Sequence, residues 1–413
     1  MSNETKLPWV SIDSFVGNQT DPSLTCHRPC PVCDSLRYRV LLEFKDFQFF
    51  SDAVESPKRT TVRNVQCLDC QAIYLNPCYS SVGFDYLFAE AGCSYGASEG
   101  RPLEQQSWLV ARSLLNTGVN LLDIGCYDGR FLSQLPTNIR RIGVDIDAIA
   151  IANGLAQYGE ADLELVHGAF ESFTCPIQPD VITMFHVLEH LSNPLAVLRH
   201  LHNLSHADTK LVIEVPVIEF GNTNDINGFL SVQHMTHFSL NSLRQLLQRA
   251  GWLLLESQKI EGYNGYRVLV QPGEVRDAVL SNSGDLGLAH AYLAHWFTNL
   301  ATVEKRIASC ADVPRMVIWG GGMHSEFVYQ ITSLFRQNRK RQYIVVDSDP
   351  LKQGKSWRGL PIFSSKILSE MDWTECRLLV SSYGSQERMV TSALELGVPA
   401  EALVCLYDMI HVY

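Results

Sequence analysis

The chain has 413 residues, of which 46% are hydrophobic and 19% charged, and it carries a formal net charge of -11. That length exceeds one ordinary core, so two or three soluble globular domains are expected. The negative balance argues against a function built on neutralising phosphate backbones. No apolar run approaches the roughly 20 residues that span a bilayer, and the polar stretch Met1–Pro8 lacks the apolar centre of a secretory signal. Neither nucleic acid nor a membrane is therefore an expected partner, and the expected location is cytoplasmic. There the twelve cysteines are reduced thiols or metal ligands and not a disulfide framework. The basic run Arg336-Gln-Asn-Arg-Lys-Arg341 reads as a short solvated loop.

Near the N-terminus stand two pairs of one spacing, Cys30-Pro-Val-Cys33 and Cys67-Leu-Asp-Cys70. Each suits a tight knuckle that points two thiolates at one ion, and two knuckles complete the closed tetrahedral shell of structural zinc. Such an ion also helps a segment fold that has little core of its own. Cys26 and His27 lie close enough to substitute for a ligand; Cys26 reads as a bystander, and Cys78 and Cys93 as plain thiols.

Val119-Asn-Leu-Leu-Asp-Ile-Gly-Cys-Tyr-Asp-Gly129 predicts a buried strand and a glycine-bearing turn, followed by a helix start at Arg130. Arg141-Ile-Gly-Val-Asp-Ile-Asp147 is a second strand ending in acid. This order is that of a nucleotide-binding βαβ unit. Gly125 and Gly129 would let backbone lie against a ligand, and an acid at the second strand's end can accept hydrogen bonds from ribose hydroxyls. Tyr127 stands where a dinucleotide turn has its middle glycine. Asp123 is placed to meet an ammonium group and would repel a pyrophosphate. S-adenosylmethionine, a nucleoside carrying an amino acid and no phosphate, satisfies both conditions.

Over residues 119–270 the chain resembles class I S-adenosylmethionine-dependent methyltransferases. The resemblance implies that Asp123, Gly125 and Gly129 line the methionine end of the cofactor and that Asp145 holds the ribose. It also implies that Ala169 and Phe170, in His167-Gly-Ala-Phe-Glu171, flank the adenine. Pro179-Asp-Val-Ile-Thr-Met-Phe-His-Val-Leu-Glu-His190 matches the fourth strand and the helix start after it. Leu211-Val-Ile-Glu-Val-Pro216 reads as the fifth strand, and Phe238–Trp252 as a helix stopped by Gly251. Tyr266-Arg-Val-Leu-Val270 reads as the last strand of a closing hairpin pair.

Four imidazoles, His186, His190, His234 and His237, are expected near the transferred methyl group. Histidine takes a proton near neutral pH, while the transfer itself is largely positioning. His186 and His190, spaced i, i+4, share a face if the segment is helical. A catalytic metal ranks below this reading, because no carboxylate triad spacing accompanies the histidines.

The order of modules resembles that of the zinc-containing sugar C-methyltransferases, which act on nucleotide-linked keto-sugars. There a Glu-His pair precedes a Ser-aromatic-Phe-Ser stretch; here the positions read Gln233-His234 and Met-Thr-His-Phe-Ser239. Gln233 cannot ionise, so His234 or His237 is the expected base. His190 matches a further histidine of that family.

Pro272 and the polar stretch Gly273–Gly287 mark a boundary, and Leu286–Ala311 predicts one long helix. Arg315-Met-Val-Ile-Trp-Gly-Gly-Gly322, Gln342–Pro350 and Arg377–Ser382 predict a second, smaller doubly wound unit. In it Gly320, Gly321, Gly322 and Asp347 would cradle a nucleotide, unless the unit is a degenerate one kept for packing or dimerisation. The expected architecture is thus α/β, a Rossmann-like class I methyltransferase core between a zinc-binding module and a C-terminal Rossmann-like domain. Its expected spans are 1–80 for the zinc module, 81–272 for the methyltransferase, 273–312 for a helical linker and 313–413 for the last domain. The expected function is methylation of a small polar metabolite, a nucleotide-linked sugar first, by a monomer or homodimer. O- or N-methylation of another natural-product or cell-surface precursor, a nicotinamide-dependent enzyme using the C-terminal domain, and a non-catalytic scaffold are the alternatives.

Overall fold

The computed structural model describes residues 9–11, 21–48, 59–84, 101–159, 163–170, 173–230, 232–260, 265–276 and 285–410. Met1–Pro8, Cys93, Glu171, Ser231 and part of the polar boundary after Gly273 lie outside them. The first segments give β1 (Val10–Ser11), β2 (Thr25–Cys26), β3 (Tyr38–Gln48), β4 (Arg59–Cys67), β5 (Ile73–Leu75) and β6 (Cys78–Tyr79). Burial along most of β4 alternates, as in a strand with one face on a core. β3, β4 and β5 form an antiparallel sheet, and β2 pairs with β6.

The central strands are β7 (Asn120–Ile124), β8 (Arg140–Asp145), β9 (Leu163–His167), β10 (Val181–Phe185), β11 (Lys210–Val215), β12 (Thr236–His237), β13 (Trp252–Lys259) and β14 (Tyr266–Pro272). Seven of them make one sheet in the order β13-β14-β11-β10-β7-β8-β9. β14 runs antiparallel to both neighbours and the other pairings are parallel. Helices cover both faces of such a sheet, so β10 and β11 are apolar almost without interruption. The order is the doubly wound one that the sequence predicts, closed by the β13–β14 hairpin.

The remaining strand, β12, leaves this sheet. Thr236 pairs with Tyr74 and His237 with Ile73, so two residues of the central unit form the edge of the N-terminal sheet. Arg28 strengthens the seam. Its guanidinium donates to the carbonyls of Leu75, Ser192 and Met235 and stands 5.6 Å from the Tyr74 ring centroid. Tyr79 Oη donates to the Val232 carbonyl, and Arg249 ties the central helix Leu240–Arg249 to Val32 and Asp34.

The last unit holds β15 (Arg315–Trp319), β16 (Gln342–Asp347), β17 (Ser356–Trp357), β18 (Leu360–Ser364), β19 (Cys376–Val380) and β20 (Leu403–Cys405), ordered β17-β18-β16-β15-β19-β20. β1, expected within the zinc module, pairs antiparallel with β16 of this sheet. Phe44 and Phe47 of β3 pack edge-on against Phe327. Beside them the buried pair Glu326–Arg358 accepts the Gln48 backbone N–H. The long helix, Asp285–Ala308, buries Tyr292, Trp296, Leu300, Val303 and Ile307 in the same apolar cluster. It is core, where the sequence suggested a linker.

Two further expectations change. Arg341 is fully buried and donates to the carbonyls of Cys310, Ala311, Val313 and Leu334, so the basic run is not simply a solvated loop. After β10 a single 3-10 turn, Leu188–His190, stands where a helix start was expected; the helix is Pro194–Leu204. Proline at its first position and the Asn193 cap explain the delayed start.

Arg28→Ala is expected to lose about 2 kcal/mol, the scale of charged hydrogen bonds to half-buried carbonyls. Urea unfolding of both proteins measures it; an unchanged midpoint would mean that β12 is held by strand pairing alone.

Candidate active site

The turn after β7 is set by backbone conformation. Gly125 and Gly129 both have φ of +75°, and Tyr127 between them has φ of +52°. A Cβ on Gly125 would come within 2.2 Å of Val187 Cγ2, and one on Gly129 within 2.8 Å of Leu165 Cδ2. Both glycines are therefore required by the fold itself, through φ and by close packing. The Tyr127 N–H donates to Asp145 Oδ2 at 2.8 Å, and the Asp147 N–H to Oδ1 at 2.8 Å. Asp147, not Asp145, caps the next helix.

Asp123 lies at the bottom of this crevice, 3% exposed, and accepts from Thr183 Oγ1 at 2.6 Å. Burial first, with the charge of Asp145 adding to it, pushes its carboxyl up to about 7; the Thr183 bond acts the other way. Burial also raises Asp145. Among the described residues neither acid forms an ion pair with a cationic side chain. A buried and a half-buried carboxylate, neither ion-paired among the described residues, make a site hostile to phosphate and receptive to a cation and to hydroxyl donors. Ala169 is exposed at the end of β9, and Phe170 turns into the core, edge-on to His200.

The histidines meet on the far side of β10. His186 has φ of +56°, a strained position for a side chain of its size. Its Nδ1 stands 3.1 Å from Glu189 Oε1 and its Nε2 3.3 Å from Glu214 Oε1. Burial opposes protonation there, but the two carboxylates outweigh it and raise His186 above the usual imidazole range. His186 and His190 do not share a helical face; Glu189 stands between them. His190 Nδ1 donates to the Gln233 carbonyl at 3.0 Å, and its ring lies 5.0 Å from that of His234. His234 is held well below the usual imidazole range by burial and by its neighbours His190, His237 and His186. His237 falls to about 3, from burial and then from the Arg28 cation. Of these imidazoles His186 favours the cation, and His234 and His237 stay neutral.

Glu189, Glu214, Arg101 and Arg267 also belong to this site and were not singled out from the sequence. Glu214 is 1% exposed, bonded by Arg267 at 2.7 Å and by Arg101 at 2.8 Å, and held down to about 2 by His186 and the two arginines against the opposing effect of burial. Glu104 completes the network from Arg267. The available signal was a single charge inside an apolar strand: Glu214 in Leu-Val-Ile-Glu-Val and Arg267 in Tyr-Arg-Val-Leu-Val.

In the N-terminal module Cys30, Cys33, Cys67 and Cys70 present their sulfurs within 4.8 Å of one another. Cys30 and Cys70 are 3.5 Å apart, as are Cys33 and Cys67. The N–H groups of Asp69 and Cys70 point at Cys67 Sγ, and Asp34 and Gln71, each directly after a pair, have positive φ. This is the four-thiolate geometry that a tetrahedral cation needs. Cys26 pairs instead with Cys78, and His27 with Asn76.

The C-terminal unit repeats the crevice. The Gly321 N–H donates to Asp347 Oδ2 at 2.8 Å and the Asp349 N–H to Oδ1 at 2.9 Å, as at Asp145. A cavity of about 660 Å³ opens there, lined by Gly320, Asp347, Lys352, Ser381, Ser382 and Arg388 among others. Lys352 and Arg388 bring two cations to it.

Residues 101–257 match the family described as a methyltransferase domain. No curated protein matches the chain. Among solved structures, 1,6-didemethyltoxoflavin-N1-methyltransferase of Burkholderia thailandensis, solved with S-adenosylhomocysteine, is similar at 16% identity and a TM-score of 0.40, covering 50% of this chain and 98% of its own. Magnesium protoporphyrin IX methyltransferase of Synechocystis is similar at 17% identity and a TM-score of 0.36, covering 47% and 95%. A Clostridium acetobutylicum S-adenosylmethionine-dependent methyltransferase is similar at 10% identity and a TM-score of 0.36, covering 46% and 98%. The central unit is thus a methyltransferase domain.

Without ligand, folded Asp123 keeps its proton up to about 7, while an unfolded aspartate releases it near about 4. The folded state binds the extra proton between those values, so this residue's contribution is fully present below the lower one and is lost as pH rises through the upper. Asp123→Asn is therefore expected to be the more stable protein at about pH 8 and to match the wild type near about pH 4. Denaturant unfolding at both pH values tests this; a difference independent of pH would refute it.

Proposed function

We propose that the enzyme moves the methyl group of S-adenosylmethionine to a carbon or oxygen of a nucleotide-linked sugar, with His234 or His237 receiving the proton. The observation that carries the cofactor side is the pair of carboxylates Asp123, buried, and Asp145, half-buried, neither of which forms an ion pair among the described residues. Asp123 meets the cofactor's ammonium, whose charge draws the proton from the carboxyl. Asp145 accepts from the ribose hydroxyls, Gly125 and Gly129 shape the turn at the methionine end, and Ala169 lies on the adenine with Phe170 packed behind it. The group bound there supplies a methyl on a sulfonium.

The acceptor attacks that carbon in line, the carbon–sulfur bond breaks with its electrons going to sulfur, and the acceptor's proton passes to a neutral imidazole. Gln233 occupies the place of the resembling family's glutamate and cannot take that proton, which leaves the histidine pair. His186, fixed between two carboxylates, is a positioning residue, and His190 orders the Gln233 backbone. For the acceptor, Lys352 and Arg388 beside a glycine turn suit a phosphate-bearing group, and the serines suit its oxygens. A zinc ion in the Cys30, Cys33, Cys67 and Cys70 quartet fixes the module that carries β12.

Mass spectrometry after incubation with methyl-labelled cofactor and a panel of nucleotide-linked sugars tests this reading. Label is expected in the sugar, and Asp145→Ala is expected to weaken cofactor binding by about 10- to 100-fold. Undiminished binding in that variant would overturn the cofactor assignment.

The Lys352→Ala, Arg388→Ala double variant is expected to raise KM for the nucleotide-linked acceptor at least about tenfold and to leave cofactor affinity unchanged. Steady-state kinetics decides it; an unchanged KM would remove the C-terminal cavity from the acceptor site.

A further inference from the structure

Methyl transfer as drawn above needs an acceptor, a cofactor and one base. It uses Glu189 only to hold His186, through Oε1, although the side chain is fully buried among imidazoles. Glu189 Oε1 stands 3.1 Å from His186 Nδ1, and Oε2 has no hydrogen-bond partner. A buried carboxylate oxygen left in this state is costly unless a cation or donor satisfies it.

Two imidazoles face it. Ligand-capable atoms of Glu189, His190 and His234 lie within 4.8 Å of one another. His190 spends Nδ1 on the Gln233 carbonyl, so its lone pair is on Nε2, which lies 4.0 Å from Glu189 Oε1. Orientation of one ring nitrogen by a backbone carbonyl is how metal-bound imidazoles are commonly held. His234 Nδ1 makes no hydrogen bond. The two segments that bring these side chains together are fixed by one guanidinium. Arg28 bonds Ser192, two residues after His190, and Met235, next to His234.

We propose that Glu189, His190 and His234 form a second metal site, separate from the cysteine quartet, for a first-row divalent cation. Two histidines and one carboxylate bind zinc, iron or manganese from one side and leave the remaining positions to water or to a substrate oxygen. The ion satisfies Glu189, and it brings to the acceptor pocket a positive charge that the neutral Gln233 and His234 do not supply. An acceptor oxygen bound there is polarised, which acidifies the adjoining C–H or O–H. His237, outside the ligand set, then remains as the proton acceptor. This site lies within the methyl-transfer pocket proposed above and rests on that reading only for the identity of the bound oxygen.

The test counts metal and needs no turnover. Full-length protein is equilibrated with zinc, freed of loose ion by gel filtration and assayed by inductively coupled plasma mass spectrometry. Two ions per chain are expected for the wild type, and one each for Glu189→Gln and His234→Ala. A cobalt-loaded sample separates the sites, because only the cysteine quartet gives thiolate charge-transfer absorption. The variants are expected to lose the remaining ligand-field bands and keep the thiolate bands, which also shows that they fold. One ion in all three proteins would overturn the proposal, and so would a second ion that survives both substitutions. Calorimetry with S-adenosylmethionine keeps the two readings apart. Cofactor binding without a second ion removes the metal and leaves the methyltransferase reading intact; a second ion without cofactor binding does the reverse.

Discussion

The two-residue pairing of β12 with β5 is the constraint on which the site depends. His234 and His237 belong to the long connection between β11 and the helix Leu240–Arg249, whose described residues outside β12 form only one 3-10 turn, Ile218–Phe220, too short to hold a distant side chain in place. Pairing Thr236 with Tyr74 and His237 with Ile73 gives it backbone partners in another module. The other end of the connection is held by the long helix. Tyr292 Oη donates to the Asn222 carbonyl and accepts the Phe229 N–H, and Trp296 donates to the Asp225 carbonyl. Tyr407 of the C-terminal unit accepts the Ile226 N–H and bonds His324, which lines the C-terminal cavity. The histidines are thus positioned by all three units, although the crevice at Asp123 and Asp145 is built by the central one.

Charge is distributed to match. Among the described residues Asp123 and Asp145 form no ion pair, and the opposite side of β10 holds Glu214 between Arg101, Arg267 and His186. A buried ion network of this kind is weak evidence for stability, since desolvation offsets much of its attraction. Its effect here is geometric. His186 must keep a left-handed backbone to reach both Glu189 and Glu214, and the carboxylates hold it in that strained state. Removing either acid would free the turn that carries Glu189 and His190.

The sequence made the central sheet legible because its signals are local. Apolar strands, glycines with positive φ and a terminal acid can all be read within Val119–Asp147. The cysteine quartet was legible for the same reason, its two pairs sharing one spacing. What stayed hidden depends on contacts between distant segments. The meeting of Glu189 with His234 requires the β12–β5 pairing, which no spacing in the chain announces; for that reason a carboxylate partner for the histidines was not foreseen. The i, i+4 spacing of His186 and His190 suggested a helical face, but Asn193 and Pro194 start the helix later. Arg341 looked like part of a solvated basic run, because burial of a guanidinium against four carbonyls leaves no periodic trace. Phe170, expected beside a ligand, is buried in the core edge-on to His200, a contact between distant segments that its local sequence does not announce.

The two doubly wound units show how one local device can serve two ligands. At Asp145 and at Asp347 the same pair of backbone N–H groups fixes the carboxylate, one from the glycine turn and one from two residues downstream. The difference lies in what surrounds it. The charges that couple to Asp145 are other acids, Asp123 and Asp147, so the setting suits a bound group that brings a positive charge or hydroxyl hydrogens. Around Asp347 stand Lys352, 3.9 Å away, and Arg388 in the lining of the same cavity, a setting suited to negative charge. On the proposed reading the sulfonium nucleoside and the phosphate-bearing acceptor have opposite charge, and keeping their sites on separate sheets suits both. The histidine segment is tied to both sheets, which makes it the place where the two ligands would meet.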